Sequence, residues 1–389
     1  MTRVATASTA LTGGAAGDDL AAQILHALDG DRPHALILFA SSQNDYQALL
    51  AALHARCPTD AMVGCSSAGE FTSERSGTGM TSAIALIAPD MQFRATLATD
   101  LSSDRAVAAR ALVAGFDGVE RSRFRHRTAL VLVDALAGHA EDLVEQLTLA
   151  TTGMYRFVGG GAGDDGAFQQ THVFHGTEAH TNAVVALEML SNKPLGIGAR
   201  HGWQPASEPF RVTESADSCV VSLNTIAASD AFEEHALATN QQFDRADPLP
   251  FFLHNIVGVK SHDGYKLRVP LGIADEGGVN CAAEIPTGAM TRIMSTQSRD
   301  AAAAASAAVQ DAVEQVARDG HTPKAALFFD CVATRLRLGQ AFGHELEAVG
   351  EALGDAPFVG FNSYGQIVRS EGQFSGFHNC TAVVLVIPD

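Results

Sequence analysis

The sequence predicts an α/β protein of two domains, built from mixed β-sheets flanked by helices. Three observations carry this. The chain has 389 residues, more than one ordinary hydrophobic core accommodates. Short apolar runs alternate with segments of helical periodicity, as expected of strands interleaved with helices. One order of elements also recurs three times in degenerate form: strand, helix, short strand, glycine-rich loop, strand.

The chain opens on MTRVATASTALTGGAAG, which has one Arg and no continuous apolar core segment, and residues 1–30 are expected to be a flexible lead-in. In the first copy, ALILFASS (Ala35–Ser42) is a short apolar run and reads as a buried strand. QNDYQALLAALHARC follows with Leu49, Leu50 and Leu53 at helical spacing, Asn44 or Asp45 as N-cap, and Pro58 closing it. AMVG is a short strand leading into the stretch VGCSSAGEF (Val63–Phe71), and TSAIALIA (Thr81–Ala88) is the next strand.

The second copy runs from the strand ALVLVD through the helix GHAEDLVEQLTLATTG, whose first turn is acidic and suits the helix dipole. YRFVGGGAGDD repeats strand and loop, and THVFHG and NAVVALEML are strands. LGIGARHGWQP then carries the single Trp of the chain. FRVTESADSCVVSLN reads as a hairpin, SDAFEEHALATNQQF as a helix, and the Gly- and Pro-rich stretch after it as strands and turns. DAAAAASAAVQDAVEQVARDG is an Ala-rich helix ending at Gly320. The third copy comprises the strand KAALFFD, the helix HELEAVGEALG, strand and loop in PFVGFNSYGQI, and the strand NCTAVVLVIP. A domain boundary is expected near 225–230, giving domains over 31–226 and 227–389.

Apolar residues make up 46% and charged residues 18%, which excludes a disordered chain. The net charge of −18 argues against non-specific nucleic-acid binding and against an anionic membrane surface. No run approaches the length of a spanning helix, and the N-terminus lacks the apolar core of a signal peptide, so a cytoplasmic protein is expected. The cysteines, Cys57, Cys65, Cys219, Cys281, Cys331 and Cys380, are scattered. Without a CxxC pair they give neither zinc-ribbon nor thioredoxin spacing, and they read as small buried apolar residues.

Several motifs suggest chemistry. In VGCSSAGEF, Gly64 and Ser66 fit the Gly-x-Ser-x-Gly nucleophile elbow, but Ala68 stands where the second glycine belongs. GAGDDG (Gly161–Gly166) matches a dinucleotide fingerprint, yet Asp164 and Asp165 would repel a pyrophosphate, and a strand-like stretch follows instead of a helix. Those two carboxylates instead suit capping of backbone N–H groups or a cationic ligand group. His172 and His175 would point to opposite faces of a strand, which disfavours a metal pair. His201 beside Trp203 fits either a hydrogen-bonded core histidine or an iron ligand. His378 and Asn379 precede the last strand and suit a turn.

Taken in order, these motifs resemble the FIST sensor family, named for F-box and intracellular signal transduction proteins. The N-terminal FIST pattern is similar to LILFASSQNDYQALLAALHARCPTDAMVGCSSAGEF, LVLVDALAGHAEDLVEQL, VGGGAGDDGAFQQTHVFHG and LGIGARHGWQP. The C-terminal pattern resembles ASDAFEEHA through IPTGAMTRI, then FFDCVATRL, VGFNSYGQI and HNCTAVVLVI. Two positions depart from it: Gln366 stands where the family usually has Glu, and Arg335 follows Cys331 at a longer spacing.

The resemblance implies a bacterial ligand-sensing signal transduction module that is not an enzyme. With the chain ending at Asp389 directly after its last strand, the signal is expected to pass to a separately encoded partner such as a histidine kinase. One subset of the family binds haem and senses nitric oxide, which would make His201 the axial ligand with Trp203 packed on the macrocycle; other members are proposed to sense small ligands such as amino acids. The three glycine loops are the expected ligand-binding region. They supply Gly64, Cys65, Ser66 and Ser67 from the first, Gly160, Asp164 and Asp165 from the second, and Asn362, Tyr364 and Gly365 from the third, with His378 and Asn379. The competing expectations are a hydrolase or lyase using Cys65 or Ser66, and a scaffold that binds a partner protein without a ligand.

Overall fold

A computed structural model describes the chain except Arg121, Asp263, Glu371 and Gly372, and except the side chains of Gln373 and Phe374. It is a mixed α/β structure made of three copies of one unit. In the first, β1 (Arg3–Thr9), α1 (Gly13–Ala27), β2 (Ala35–Ser41), α2 (Tyr46–Arg56) and β3 (Met62–Ser67) are followed by a hairpin, β4 (Glu70–Thr72) with β5 (Ser76–Gly77), and by β6 (Thr81–Ile87). The second repeats this as β7 (Met91–Ala98), α3 (Arg105–Ala114), β8 (His126–Val133), α4 (Ala140–Ala150), β9 (Arg156–Gly161), the hairpin β10 (Val173–His175) and β11 (Glu178–His180), and β12 (Val184–Ser191).

The third unit opens with β13 (Gly196–Arg200) and is then interrupted. The insertion holds β14 (Gln204–Pro205), β15 (Phe210–Ala216), β16 (Cys219–Leu223), β17 (Ile226–Ala227), α5 (Ala228–Ala238), α6 (Leu249–Phe252), β18 (Ile256–Ser261), β19 (Gly264–Arg268), β20 (Pro270–Ile273), β21 (Val279–Cys281) and β22 (Met290–Ser295). Its strands form a sheet of their own. The unit resumes with α7 (Ser298–Ala317), β23 (Pro323–Cys331), α8 (Val332–Leu338), α9 (Phe342–Leu353), β24 (Phe358–Ser363), the hairpin β25 (Gln366–Ser370) and β26 (Gln373–His378), and β27 (Ala382–Pro388).

Each unit contributes four strands to a six-stranded sheet, in the orders β1-β6-β2-β3, β7-β12-β8-β9 and β13-β27-β23-β24. The remaining two places are filled by a neighbour's hairpin. β4 pairs with β24 (Phe71↔Gly360), β25 with β9 (Ile367↔Gly159), and β10 with β3 (Phe174↔Gly64). The exchange is cyclic, so each unit completes another's sheet. Inward-facing residues of all three sheets share one core, in which Phe39 stacks on Phe361 at 4.4 Å between centroids and meets Phe329 edge-on at 6.2 Å. Outward-facing residues such as Leu36, Leu130's neighbours Ala129 and Val131, and Phe328 pack under helices. The central strands are therefore covered on both faces, which is why ALILFAS and ALVLV read as unbroken apolar runs.

Two expectations are corrected. Residues 1–30 are not a lead-in: they form β1 and α1, and α1 packs so closely on α2 that a Cβ on Gly17 would sit 2.4 Å from the carbonyl oxygen of Leu49. The repeat is longer than periodicity showed, because each copy also owns a leading strand and helix. The expected division at 226/227 lies at β17, within the insertion.

Glu141 ties the insertion back to unit two. Glu141, in the first turn of α4, accepts from Lys266 (2.5 Å), from the buried Arg268 (3.2 Å) and from the backbone N–H of Phe377 (2.9 Å). Arg268 also donates to the carbonyls of Leu267, Glu284 and Phe377, so its buried charge is well solvated by the protein.

Candidate functional site at the junction of the three units

The stretches read as glycine loops are the last residues of strands. β3 runs through Ser67, β9 through Gly161 and β24 through Ser363. Their shared glycine has one physical cause. Gly64, Gly159 and Gly360 lie in register with Leu38, Val131 and Phe328 on the adjacent parallel strand. A Cβ there would stand 2.2, 2.0 and 1.8 Å from the carbonyl oxygens of those residues.

These strand ends converge and bond to one another. Ala68 N donates to Asn362 O (2.9 Å) and Asn362 N to Gly69 O (2.8 Å), joining units one and three. Gly163 N donates to Ser66 O (2.9 Å) and Asp165 N to Ser67 O (3.0 Å), joining units two and one. Tyr364 N donates to Gly161 O (3.1 Å) and Gly161 N to Gly365 O (2.8 Å), joining units three and two. The three stretches thus form a closed ring of backbone hydrogen bonds at the carboxyl ends of the parallel strands, where open α/β sheets place their ligands.

Most of the expected ligand residues are buried parts of this ring. Cys65, Ser66 and Ser67 are fully covered, as are Asn362 and Tyr364 nearly so. Ser66 Oγ accepts from His172 N (2.8 Å), and Ser67 Oγ donates to Glu70. Asp164 is a capping group: its carboxylate accepts from Phe168 N (2.8 Å), Gln169 N (2.6 Å), Gln170 N (2.9 Å) and the Tyr364 hydroxyl. Burial alone would raise its pKa, but these hydrogen bonds outweigh burial and hold it below the usual carboxylate range. Gly160 packs against Ser363 and the Gly365 carbonyl. His378 and Asn379 lie apart, at the seam with the insertion: Asn379 N donates to Leu267 O (3.3 Å), and His378 pairs across from Gln366. Burial pushes the His378 ring well below its ordinary pKa.

Asp165 differs from its neighbour. One carboxylate oxygen accepts from Ser41 Oγ (2.7 Å), Ser42 N (2.8 Å) and Ser42 Oγ (2.5 Å). The other, Oδ1, is buried and has no partner. Around it stand Tyr46, Glu70 and Arg335, all within electrostatic reach. Arg335, on α8, donates to Ala68 O (2.8 Å) and lies across Gly69, where a Cβ would meet its Nη1 at 1.9 Å. Burial lowers its pKa, opposed by Glu70 and Asp165. Glu70 is fully buried and pushed up to about 7 by burial, although Ser67 and Met80 N (3.0 Å) bond to its carboxylate.

Sequence reasoning missed Ser42, Tyr46, Glu70 and Arg335 as site residues. Glu70 sat in the quoted VGCSSAGEF stretch and Arg335 in FFDCVATRL, but only the fold brings them to Asp165. The Gln366 departure also has a physical account. Its buried amide donates to Ser363 Oγ (2.7 Å) and accepts from Thr381 N (3.3 Å), a pair of roles that a carboxylate cannot fill.

Comparison with known proteins now bears on this arrangement. The FIST N domain model matches residues 34–226 and the FIST C domain model matches residues 228–369. The chain belongs to the FIST family. This is a family of sensory and signalling domains. No curated protein matches the chain. Among solved structures, the FIST chain is similar to phosphoribosylformylglycinamidine synthase II from Thermotoga maritima, at 10% identity over 99% of this chain and 72% of that one, with a TM-score of 0.24. It is also similar to T. maritima PurL complexed with FGAR, at 11% identity over 100% and 72% of the two chains, again with a TM-score of 0.24. Scores of that size carry no argument about fold or function.

Two expectations attached to FIST proteins meet this geometry directly. For haem, Trp203 N donates to His201 Nδ1 (3.3 Å), which leaves Nε2 as the protonated nitrogen facing Tyr265 O (3.2 Å). Neither ring nitrogen presents a lone pair to iron in this arrangement. The cavity beside His201 measures about 10 Å³, and Arg337 already covers the Trp203 ring at 5.3 Å. Ligand pockets run from roughly 300 Å³ upward, so a porphyrin bound through His201 does not fit. For hydrolysis, Cys65 is fully buried with its thiol pushed well above its ordinary pKa by burial, so the sulfur is held protonated. Ser66 Oγ is engaged with the backbone of His172 as donor (3.3 Å) and acceptor. Neither is set up as a nucleophile. Among the described residues, no cluster of three or more His, Cys, Asp or Glu is arranged to hold a metal, and no helix is long and apolar enough to cross a membrane.

Proposed function

We propose that this FIST protein senses a small zwitterionic ligand, such as an amino acid, at the rim of the three-unit junction and signals to a separate protein such as a histidine kinase. One observation carries the reading: a buried carboxylate oxygen of Asp165 without a partner, beside the half-buried Arg335. A buried acceptor left unpaired costs free energy that a donor supplied by a ligand removes. An ammonium group suits Asp165, and a carboxylate suits the guanidinium of Arg335.

Coupling follows from where these groups sit. Asp165 belongs to unit two, Ser41 and Ser42 to unit one, and Arg335 to unit three, so one ligand would hold all three units together. It would favour whichever arrangement of the units brings the groups closest, and a partner protein would read the difference.

The test is a thermal-shift measurement with a panel of amino acids. A ligand that binds only the folded state stabilises it by about 2.7 kcal/mol at a hundredfold excess over Kd. At least one member of the panel is expected to raise Tm of the wild type by a few degrees, and Asp165→Asn and Arg335→Met each to abolish the rise. A panel without effect on the wild type would refute the zwitterion reading. An undiminished shift in both variants would place the site elsewhere.

A further inference from the structure

The loop that carries Asp165 also carries an aromatic ring left open to solvent. Among the described side chains Phe168 is the one exposed phenylalanine, at 45%, while the others are buried or half-buried. Burying such a ring is favourable, so a ring held in water is the informative exception. Phe168 also has a left-handed backbone, with φ of 53°. A residue with a Cβ stays there only when its surroundings impose it, and such strain gathers at functional sites. Here the buried carboxylate of Asp164 imposes it, accepting from Phe168 N at 2.8 Å, while Ala167 N donates to Asp164 O (3.0 Å) and closes the turn.

The ring itself is fixed. It stacks on Tyr364 with centroids 4.3 Å apart and planes 9° apart. Tyr364 is held in turn by its hydroxyl, which donates to Asp164 and accepts from Gly166 N (3.0 Å). One face of Phe168 is covered by Tyr364, so its exposure belongs to the other face and the edge. Beneath the stack, Tyr364 clusters with Ala68 and Val332, and Ala135 packs against them. Val332 lies one turn before Arg335 on the same side of α8, and Arg335 donates to Ala68 O (2.8 Å). Asp165 stands three residues before Phe168 in the same loop. Ring, guanidinium and carboxylate therefore share one rim, with unit two supplying Phe168 and Asp165 and unit three supplying Arg335 and Tyr364.

We propose that the ligand is an aromatic amino acid and that Phe168 sets this preference by stacking on its ring. The inference rests on the zwitterion reading: Asp165 takes the ammonium group, Arg335 takes the carboxylate, and Phe168 reads the side chain. A ring laid on the open face continues the Phe168–Tyr364 stack. It gains both the burial of two apolar faces and the offset stacking that aromatic pairs favour. An aliphatic side chain gains the burial alone. A polar one is desolvated against a ring that returns no ordinary hydrogen bond. The imposed backbone and the stack on Tyr364 fix Phe168 before the ligand arrives, so little ordering of this side chain is charged against binding.

Isothermal titration calorimetry of the full chain with free phenylalanine, tyrosine, leucine, alanine and serine tests this. Phenylalanine and tyrosine are expected to bind about tenfold more tightly than alanine or serine, with leucine between them, as one stacked and buried ring implies. Phe168→Gly removes the ring and suits the φ of 53°, so the loop keeps its course. In that variant the ratio of phenylalanine to alanine affinity is expected to fall below about threefold. Phe168→Tyr, which keeps an aromatic face, is expected to retain the wild-type ratio. Equal binding of phenylalanine and alanine by the wild type, or an undiminished ratio in Phe168→Gly, would overturn the proposal and leave the zwitterion reading standing. If none of the five amino acids binds the wild type, both are refuted. The wild-type series decides by itself, so a variant that fails to fold does not affect the outcome.

Discussion

Gly159→Ala is expected to destabilise the protein by about 3–5 kcal/mol, the sum of an overpacking cost and a backbone cost. The added Cβ would lie 2.0 Å from the carbonyl oxygen of Val131, and the backbone φ of 149° belongs to glycine. Neither problem relaxes locally, because β9 is held by β8 on one side and by the exchanged β25 on the other. Urea denaturation checks this through a lowered midpoint at unchanged slope. Gly320→Ala is the control. Its φ is also positive, at 80°, but nothing lies within 4 Å of the added Cβ, so it should cost only about 1 kcal/mol. Equal effects of the two substitutions would show that close approach of the parallel strands is not what the shared glycine serves.

The second large effect is on pH. Glu70 has an ordinary pKa of 4.5 that burial raises to about 7. The folded state therefore binds its proton more tightly than the unfolded chain does. Between those two values the folded state carries more protons, so stability falls as pH rises through this window. The contribution is present in full below pH 4.5 and lost above about 7. A shift of that size corresponds to about 3 kcal/mol. Glu345, pushed up to about 8 by burial, acts with the same sign. Glu70→Gln is expected to flatten the pH dependence by Glu70's share and leave that of Glu345. Chemical denaturation of both proteins across this range measures the difference, and parallel curves would contradict the assignment.

Much of the fold was legible. ALILFAS, TSAIALI and ALVLV announce strands covered on both faces, and Asp45 announces the start of α2, where it accepts from Ala48 N (3.0 Å). The first thirty residues were not legible, for a physical reason. β1 is rich in Ala, Ser and Thr, and α1 opens on Gly and Ala with Gly17 almost in contact with the α2 backbone, so this small-residue stretch looks like a flexible segment. The exchange of hairpins was invisible because strand pairing depends on register between distant segments, and every partner sequence here is similarly apolar. The three glycine stretches were found and grouped by repetition alone. What repetition could not show is that their middle residues bond to each other, which leaves Asp165 as the one whose carboxylate retains a buried, unpartnered oxygen. His201 looked like a ligand because its neighbours Gly202 and Trp203 suggested a pocket, whereas Gly202 is there because α7 begins 2.4 Å from where its Cβ would be.

Three chain segments form one junction, and the ligand proposed for it would act on them as a unit. Hydrogen exchange read by mass spectrometry tests it most directly. It compares the protein alone with the protein saturated by the amino acid that raises Tm most. The ring of bonds through Ala68, Gly161, Gly163, Asp165, Asn362 and Tyr364 predicts that exchange slows together in residues 62–72, 156–166 and 358–366. Slowing confined to one of these segments, or found only in the insertion over residues 201–297, would contradict it.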